Sequence, residues 1–130
     1  MQKFMAIFTA TPESRARSDW GQLDANAVQA RRAEGVQAWN DWAERNKAAI
    51  VDPGSPIGKT KRVDLAGLFD GANTITAYTI VRAESHEAAA RMFENHPHFT
   101  IFPGEAVEIM PCLPLPGGVT GARTAALRRL

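Results

Sequence analysis

The chain has 130 residues, 45% of them apolar, with 15 basic against 14 acidic side chains and a formal net charge of +1. That length predicts one domain able to bury a core without disulfide or metal staples, since domains cluster at about 100–150 residues. The near-neutral charge argues against nucleic acid or an anionic membrane as partner, no run approaches the roughly 18 apolar residues of a span, and the single cysteine, Cys112, fits a reducing, cytoplasmic setting.

Met1-Gln2-Lys3 leads into a strand over Lys3–Thr9 (KFMAIFT), not into a signal peptide. Phe4, Ala6 and Phe8 point one way and Met5 and Ile7 the other, so both faces of this strand ask for cover. The polar stretch Thr11–Gly21 reads as a loop or lid. Asp24 to about Ala48 reads as one long helix, with Val28, Val36, Trp39, Ala43 and Ile50 at helical multiples. Gly35 weakens that helix by about 1 kcal/mol relative to alanine. An interior glycine is a place where another group comes close.

Asp52-Pro53-Gly54-Ser55-Pro56 reads as a breaker cluster. Arg62–Phe69 alternates, Asp70-Gly71-Ala72-Asn73 is a turn signal, and Thr74–Arg82 is rich in β-branched residues. Together they predict a hairpin in which Phe69 faces Thr74, Leu65 faces Tyr78 and Asp64 faces Thr79. Ser85 is an N-cap for a second helix from His86 to about Asn95, which Pro97 stops. A last strand covers Ala106–Met110, and Pro111, Pro114 and Pro116 end the sheet. The domain is expected over 1–116, with 117–130 as a flexible or partner-embracing tail.

The order β-α-β-β-α-β predicts an α+β, ferredoxin-like fold: a four-stranded antiparallel sheet with both helices on one face. Strands apolar at both parities leave the second face in need of a partner. A second copy placed by two-fold symmetry supplies one, so a homodimer is expected.

Gly54-Ser55-Pro56-Ile57-Gly58-Lys59-Thr60 imitates a phosphate-binding loop. It has three residues between its glycines where the motif needs four, and it opens a strand instead of a helix. Nucleotide hydrolysis is excluded on that ground. Cys112 has no flanking cation to activate it as a nucleophile. The candidate acid/base groups are His96 and His98, flanking Pro97, and Asp64, a carboxylate within an apolar strand. The histidine spacing matches no strong zinc pattern, so no metal is expected and metal-dependent chemistry ranks last. Trp20, beside the polar loop, is placed to close over a pocket with its indole N–H as donor, and Trp42, Tyr78 and Thr79 complete the candidate ligand-binding set. Trp39 and Trp42, at i and i+3, also share a core-facing helix side.

The last third, from Ser85-His86-Glu87-Ala88 through His96-Pro97-His98-Phe99 and Gly104 to Val107-Glu108-Ile109-Met110-Pro111, resembles YCII-related proteins. The resemblance implies a dimeric α/β barrel, in which two ferredoxin-like subunits pack sheet to sheet, and an architecture shared with muconolactone isomerases and small monooxygenases. It also implies a histidine–aspartate pair with its histidine early in the chain. No histidine precedes His86 here, so the acid/base role passes to His96 or His98 as a separate hypothesis. The expected function is small-molecule binding with cofactor-free proton transfer, isomerase- or lyase-like. The alternative is a non-catalytic dimeric binding or assembly module.

Overall fold

The computed structural model describes residues 1–116; the expected tail from Gly117 to Leu130 lies outside them. The first strand, β1 (Gln2–Thr9), is one of the two inner strands of a four-stranded sheet. Thr11 then caps α1 (Pro12–Arg17) through a reciprocal box with Ser14, and Pro12 occupies the first turn, where its missing N–H costs nothing. The stretch expected as an open loop is therefore one helical turn and a half, followed by a 3-10 turn over Trp20–Gln22. Asp24 caps the long helix α2 (Ala25–Arg45) by accepting the Ala27 N–H at 2.8 Å.

Next comes β2 (Ile50–Pro56), which corrects the reading of this segment as a breaker. Two prolines fit here because β2 is the sheet's edge strand and its register against the neighbouring strand is broken twice, between Ile50 and Asp52 and between Asp52 and Ser55. Gly54 takes φ +69° at this irregularity, and a Cβ there would run into the Tyr78 carbonyl.

A separate hairpin follows, β3 (Thr60–Asp64) with β4 (Gly67–Gly71). The hairpin expected between 62–69 and 74–82 does not form. Leu65-Ala66 makes a tight turn, with Gly67 at φ +127° and Asp64 Oδ1 accepting the Ala66 N–H at 2.8 Å. Phe69 thus faces Arg62, Asp64 faces Gly67, and Leu65 sits in solvent at the tip. The Asp70–Asn73 signal leads into the next sheet strand, with Asn73 Oδ1 accepting the Ile75 N–H at 2.9 Å.

That strand, β5 (Ile75–Ala83), pairs antiparallel with both β1 and β2. Ser85 caps α3 (His86–Arg91), His96 caps a one-turn helix α4 (Pro97–Thr100), and β6 (Ala106–Pro111) closes the sheet beside β1. The sheet order is β2-β5-β1-β6. This is the expected α+β, ferredoxin-like architecture, with the β3–β4 hairpin carried between its second and third sheet strands.

The core lies between helices and sheet. Phe4, Ala6 and Phe8 of β1 and Ala77, Val81 and Ala83 of β5 pack with Trp42, Ala89 and Phe93. The opposite parity carries Met5, Ile7, Tyr78, Ile80 and Met110, half-buried or exposed. No helix among the described residues is long and apolar enough to cross a membrane.

Candidate functional site

A cavity of about 490 Å³ opens between α2, the β2–β5 edge of the sheet, and α4. Helix α2 supplies Val36, Trp39, Asn40, Trp42 and Ala43; the sheet supplies Ile50, the Pro53–Pro56 segment and Thr76–Thr79; His98 and Phe102 complete the wall. The volume is in the range of small-molecule sites, and among the described residues no Asp, Glu, Lys or Arg lines it.

Most polar groups around this cavity are already committed. Trp42 Nε1 donates to the Met92 carbonyl at 2.7 Å, Thr79 Oγ1 to the Pro53 carbonyl at 3.0 Å, and Thr76 Oγ1 to the Phe8 carbonyl at 3.2 Å. His98 is 6% exposed, and its Nε2 lies 2.7 Å from the Thr9 carbonyl oxygen. A carbonyl only accepts, so Nε2 carries the ring hydrogen and Nδ1 holds a free lone pair. The Nε2–Cδ2 edge of the ring rests on Gly104, where any side chain would collide with it. The Nδ1 edge faces the other way.

His96 sits deeper, at 0% exposure, among Phe8, Trp39, Trp42 and Phe93. Its Nδ1 accepts the His98 backbone N–H at 3.0 Å, which puts the ring hydrogen on Nε2. Among the described residues, that Nε2 is the one side-chain nitrogen or oxygen sealed from solvent without a hydrogen-bond partner. Among the described residues His98 Nδ1 has no partner either, and it is not sealed. Burial pushes His96 down to about 3, with the nearness of His98 adding to the effect. Burial also holds His98 below 6.5, against the opposing pull of the Thr9 carbonyl. Both rings are neutral at pH 7. His98 lines the cavity and keeps an unprotonated ring nitrogen, which is what a base requires.

The residues singled out from the sequence divide accordingly. His98, Trp42, Tyr78 and Thr79 all line the cavity, and His96 packs against the tryptophans that do. Asp64 does not join them. It lies in the β3–β4 hairpin, paired with Arg62 at 3.1 Å, because the sheet register that would have set it opposite Thr79 belongs to β2. Trp20 does not close over the cavity either. Its indole N–H donates to the Ile101 carbonyl at 2.9 Å, and its ring stacks on Phe102 at 5.7 Å between centroids.

Sequence reasoning missed Asn40, Ser55 and Phe102 as lining residues. The signal for Phe102 was Gly35: the ring lies where a Cβ on Gly35 would be. Among the described residues, no three His, Cys, Asp or Glu side chains converge as metal ligands would.

The fold and cavity together define a ferredoxin-like domain with a pocket against one sheet edge that, among the described residues, is uncharged and largely apolar. No family model matches the chain, and no curated protein sequence is significantly similar to it. Among solved structures it is similar to the 5-chloro-2-hydroxyhydroquinone dehydrochlorinase (TftG) of Burkholderia phenoliruptrix AC1100, in complex with 2,5-dihydroxybenzoquinone. The two share 18% identity with a TM-score of 0.53, over 90% of this chain and 99% of that one. At that identity the likeness bears on the fold alone, the subunit fold of the dimeric α/β-barrel type.

Proposed function

We propose that this chain binds a small organic molecule in the cavity beside His98 and moves a proton on it without a cofactor, in isomerase- or lyase-like chemistry. The observation that carries the reading is the free Nδ1 of His98 at the wall of a 490 Å³ cavity. In this reading Nδ1 takes a proton from the bound molecule, the imidazolium that forms is steadied by its Nε2–H bond to Thr9, and the proton returns to a different atom. The dehydrochlorinase that shares the fold acts, by its name, on a hydroxylated ring, which accords with the reading. The motif run from Ser85 to Pro111 supports YCII-related ancestry as part of the same proposal.

The test is a thermal-shift screen of small neutral organic molecules against the wild type and Ala43→Phe, a change that fills the cavity from α2. Ligands that raise the wild-type melting temperature and lose their effect in Ala43→Phe support the site. A screen in which every hit acts equally on both proteins removes it.

The open sheet face favours a homodimer, which the non-catalytic alternative shares. Lys3 pairs across the strands with Arg82 at one end of this face, and Glu108 pairs with Ile7 nearer the other. A two-fold axis that swaps the ends sets the basic pair of one copy over the glutamate of its mate, around a centre of Met5, Ile80 and Met110. Sedimentation equilibrium is expected to give twice the chain mass, and Ile80→Asp to halve it. A wild type that sediments at the single-chain mass rules the dimer out.

A further inference from the structure

The cavity's chemistry narrows what it takes. Among the described residues its walls carry no formal charge of either sign. An anionic ligand buried there would lose hydration without gaining a cation, and a cationic one would find no carboxylate, so both are disfavoured. The threonine hydroxyls and the Trp42 indole N–H are spent on backbone carbonyls, while Asn40 and Ser55, both exposed, keep polar side-chain atoms at the wall. Beside these groups the cavity offers aromatic surface from Trp39, Trp42 and Phe102, and the acceptor nitrogen of His98.

That nitrogen has a fixed polarity. Because Thr9 holds the hydrogen on Nε2, Nδ1 of the neutral ring accepts and cannot donate. A carbonyl or ether oxygen facing it would be repelled lone pair to lone pair, whereas a hydroxyl would donate to it. We infer that the ligand is an uncharged, flat ring bearing a hydroxyl group, stacked among Trp39, Trp42 and Phe102, with the O–H donating to His98 Nδ1. This rests on the cavity being the binding site, and it adds the class of molecule bound there. It also identifies the proton that His98 is placed to take, the one on the ring hydroxyl.

Three probes of nearly equal shape separate the terms: 2-naphthol, 2-methoxynaphthalene and 2-naphthoate. Titration calorimetry at pH 7 is expected to rank naphthol at least roughly tenfold above both others, one hydrogen bond or one unpaired charge being worth about that much. In His98→Leu the gap between naphthol and methoxynaphthalene is expected to close. The wild-type ranking decides the matter by itself if that variant does not fold. Naphthoate or methoxynaphthalene binding as tightly as naphthol overturns the inference. If that equal binding is also abolished by Ala43→Phe, the cavity reading survives and only the ligand class is wrong. Binding by none of the three overturns both.

Discussion

The backbone N–H of His98 donates to Nδ1 of His96 across 3.0 Å, so one histidine caps the short helix that carries the other. Serine, aspartate or asparagine would cap as well and would leave no buried donor unsatisfied. Histidine adds a ring that fills the space between Trp39, Trp42 and Phe93. The position of the candidate base thus depends on a neutral histidine buried behind it.

This dependence gives stability a pH profile. Unfolded histidines titrate near 6.5, whereas burial holds both native rings lower, His96 at about 3. Below pH 6.5 the unfolded chain binds protons that the native chain refuses. The stabilisation is therefore complete above about pH 6.5 and is lost as pH falls toward 3, at up to about 1.4 kcal/mol per pH unit for each histidine. Urea unfolding at a series of pH values between about 7 and 4.5 measures the slope. His96→Asn, which keeps a capping oxygen and removes the titrating ring, is expected to unfold with a shallower pH dependence than the wild type. Equal slopes in the two proteins would exclude His96 as the buried neutral group.

Gly54→Ala is expected to damage the site through the edge strand. The φ of +69° costs an alanine about 1–2 kcal/mol by itself, and the new methyl would meet the Tyr78 carbonyl, which is backbone and cannot swing away. Relief requires β2 to move off β5, and the Pro53–Pro56 wall of the cavity moves with it. Amide hydrogen exchange in β5 reads this directly, with faster exchange expected for amides bonded toward β2 and little change for those bonded toward β1. Uniform protection across β5 would mean the glycine is dispensable.

Asp64→Asn is expected to do almost nothing. The Arg62 pair is exposed on a hairpin outside the sheet, and such pairs contribute about 0–1 kcal/mol. Binding of 2-naphthol and the midpoint of urea unfolding are both expected to match the wild type. A clear loss of binding would put Asp64 back at the site and contradict the hairpin geometry.

How much of this was legible in the sequence depended on whether a signal was local. The cap at Ser85, the long helix and the strands β1 and β6 rest on near-neighbour chemistry, and the residues displayed it. Strand β2 was illegible because Pro53, Gly54 and Pro56 are turn residues that an edge position with a broken register tolerates; edge status is a property of the sheet, not of the segment. The displaced hairpin followed from that omission. With β2 unread, 62–69 was the remaining candidate for a neighbour of β5, and Asp64 came into the site with it. His96 and His98 were visible as chemistry but not as roles. Which ring faces a cavity and which is buried is set by Thr9 and Trp39, 89 and 57 positions from the histidines they constrain, and only the fold brings those residues together.

Gly35→Ala probes the far wall of the cavity. The new Cβ would clash with the Phe102 ring atoms Cζ and Cε2, so the ring has to yield. Trp20 stacks against it on one side and is itself tied by its N–H to Ile101, which leaves the cavity that Phe102 lines as the open direction. Helix propensity favours the alanine by about 1 kcal/mol, and overpacking costs about 1–3 kcal/mol. The melting temperature is therefore expected to fall by only about 4 °C, for a net loss near 1 kcal/mol. Ligand binding is expected to suffer more, with 2-naphthol weakened roughly tenfold as the ring enters its space. Adding Phe102→Leu to Gly35→Ala shortens the intruding side chain and is expected to recover most of that loss, giving a favourable coupling between two positions 67 residues apart in sequence. Additive effects in the double mutant would show that Phe102 does not transmit the strain, and would remove it as the wall that sets the cavity's length.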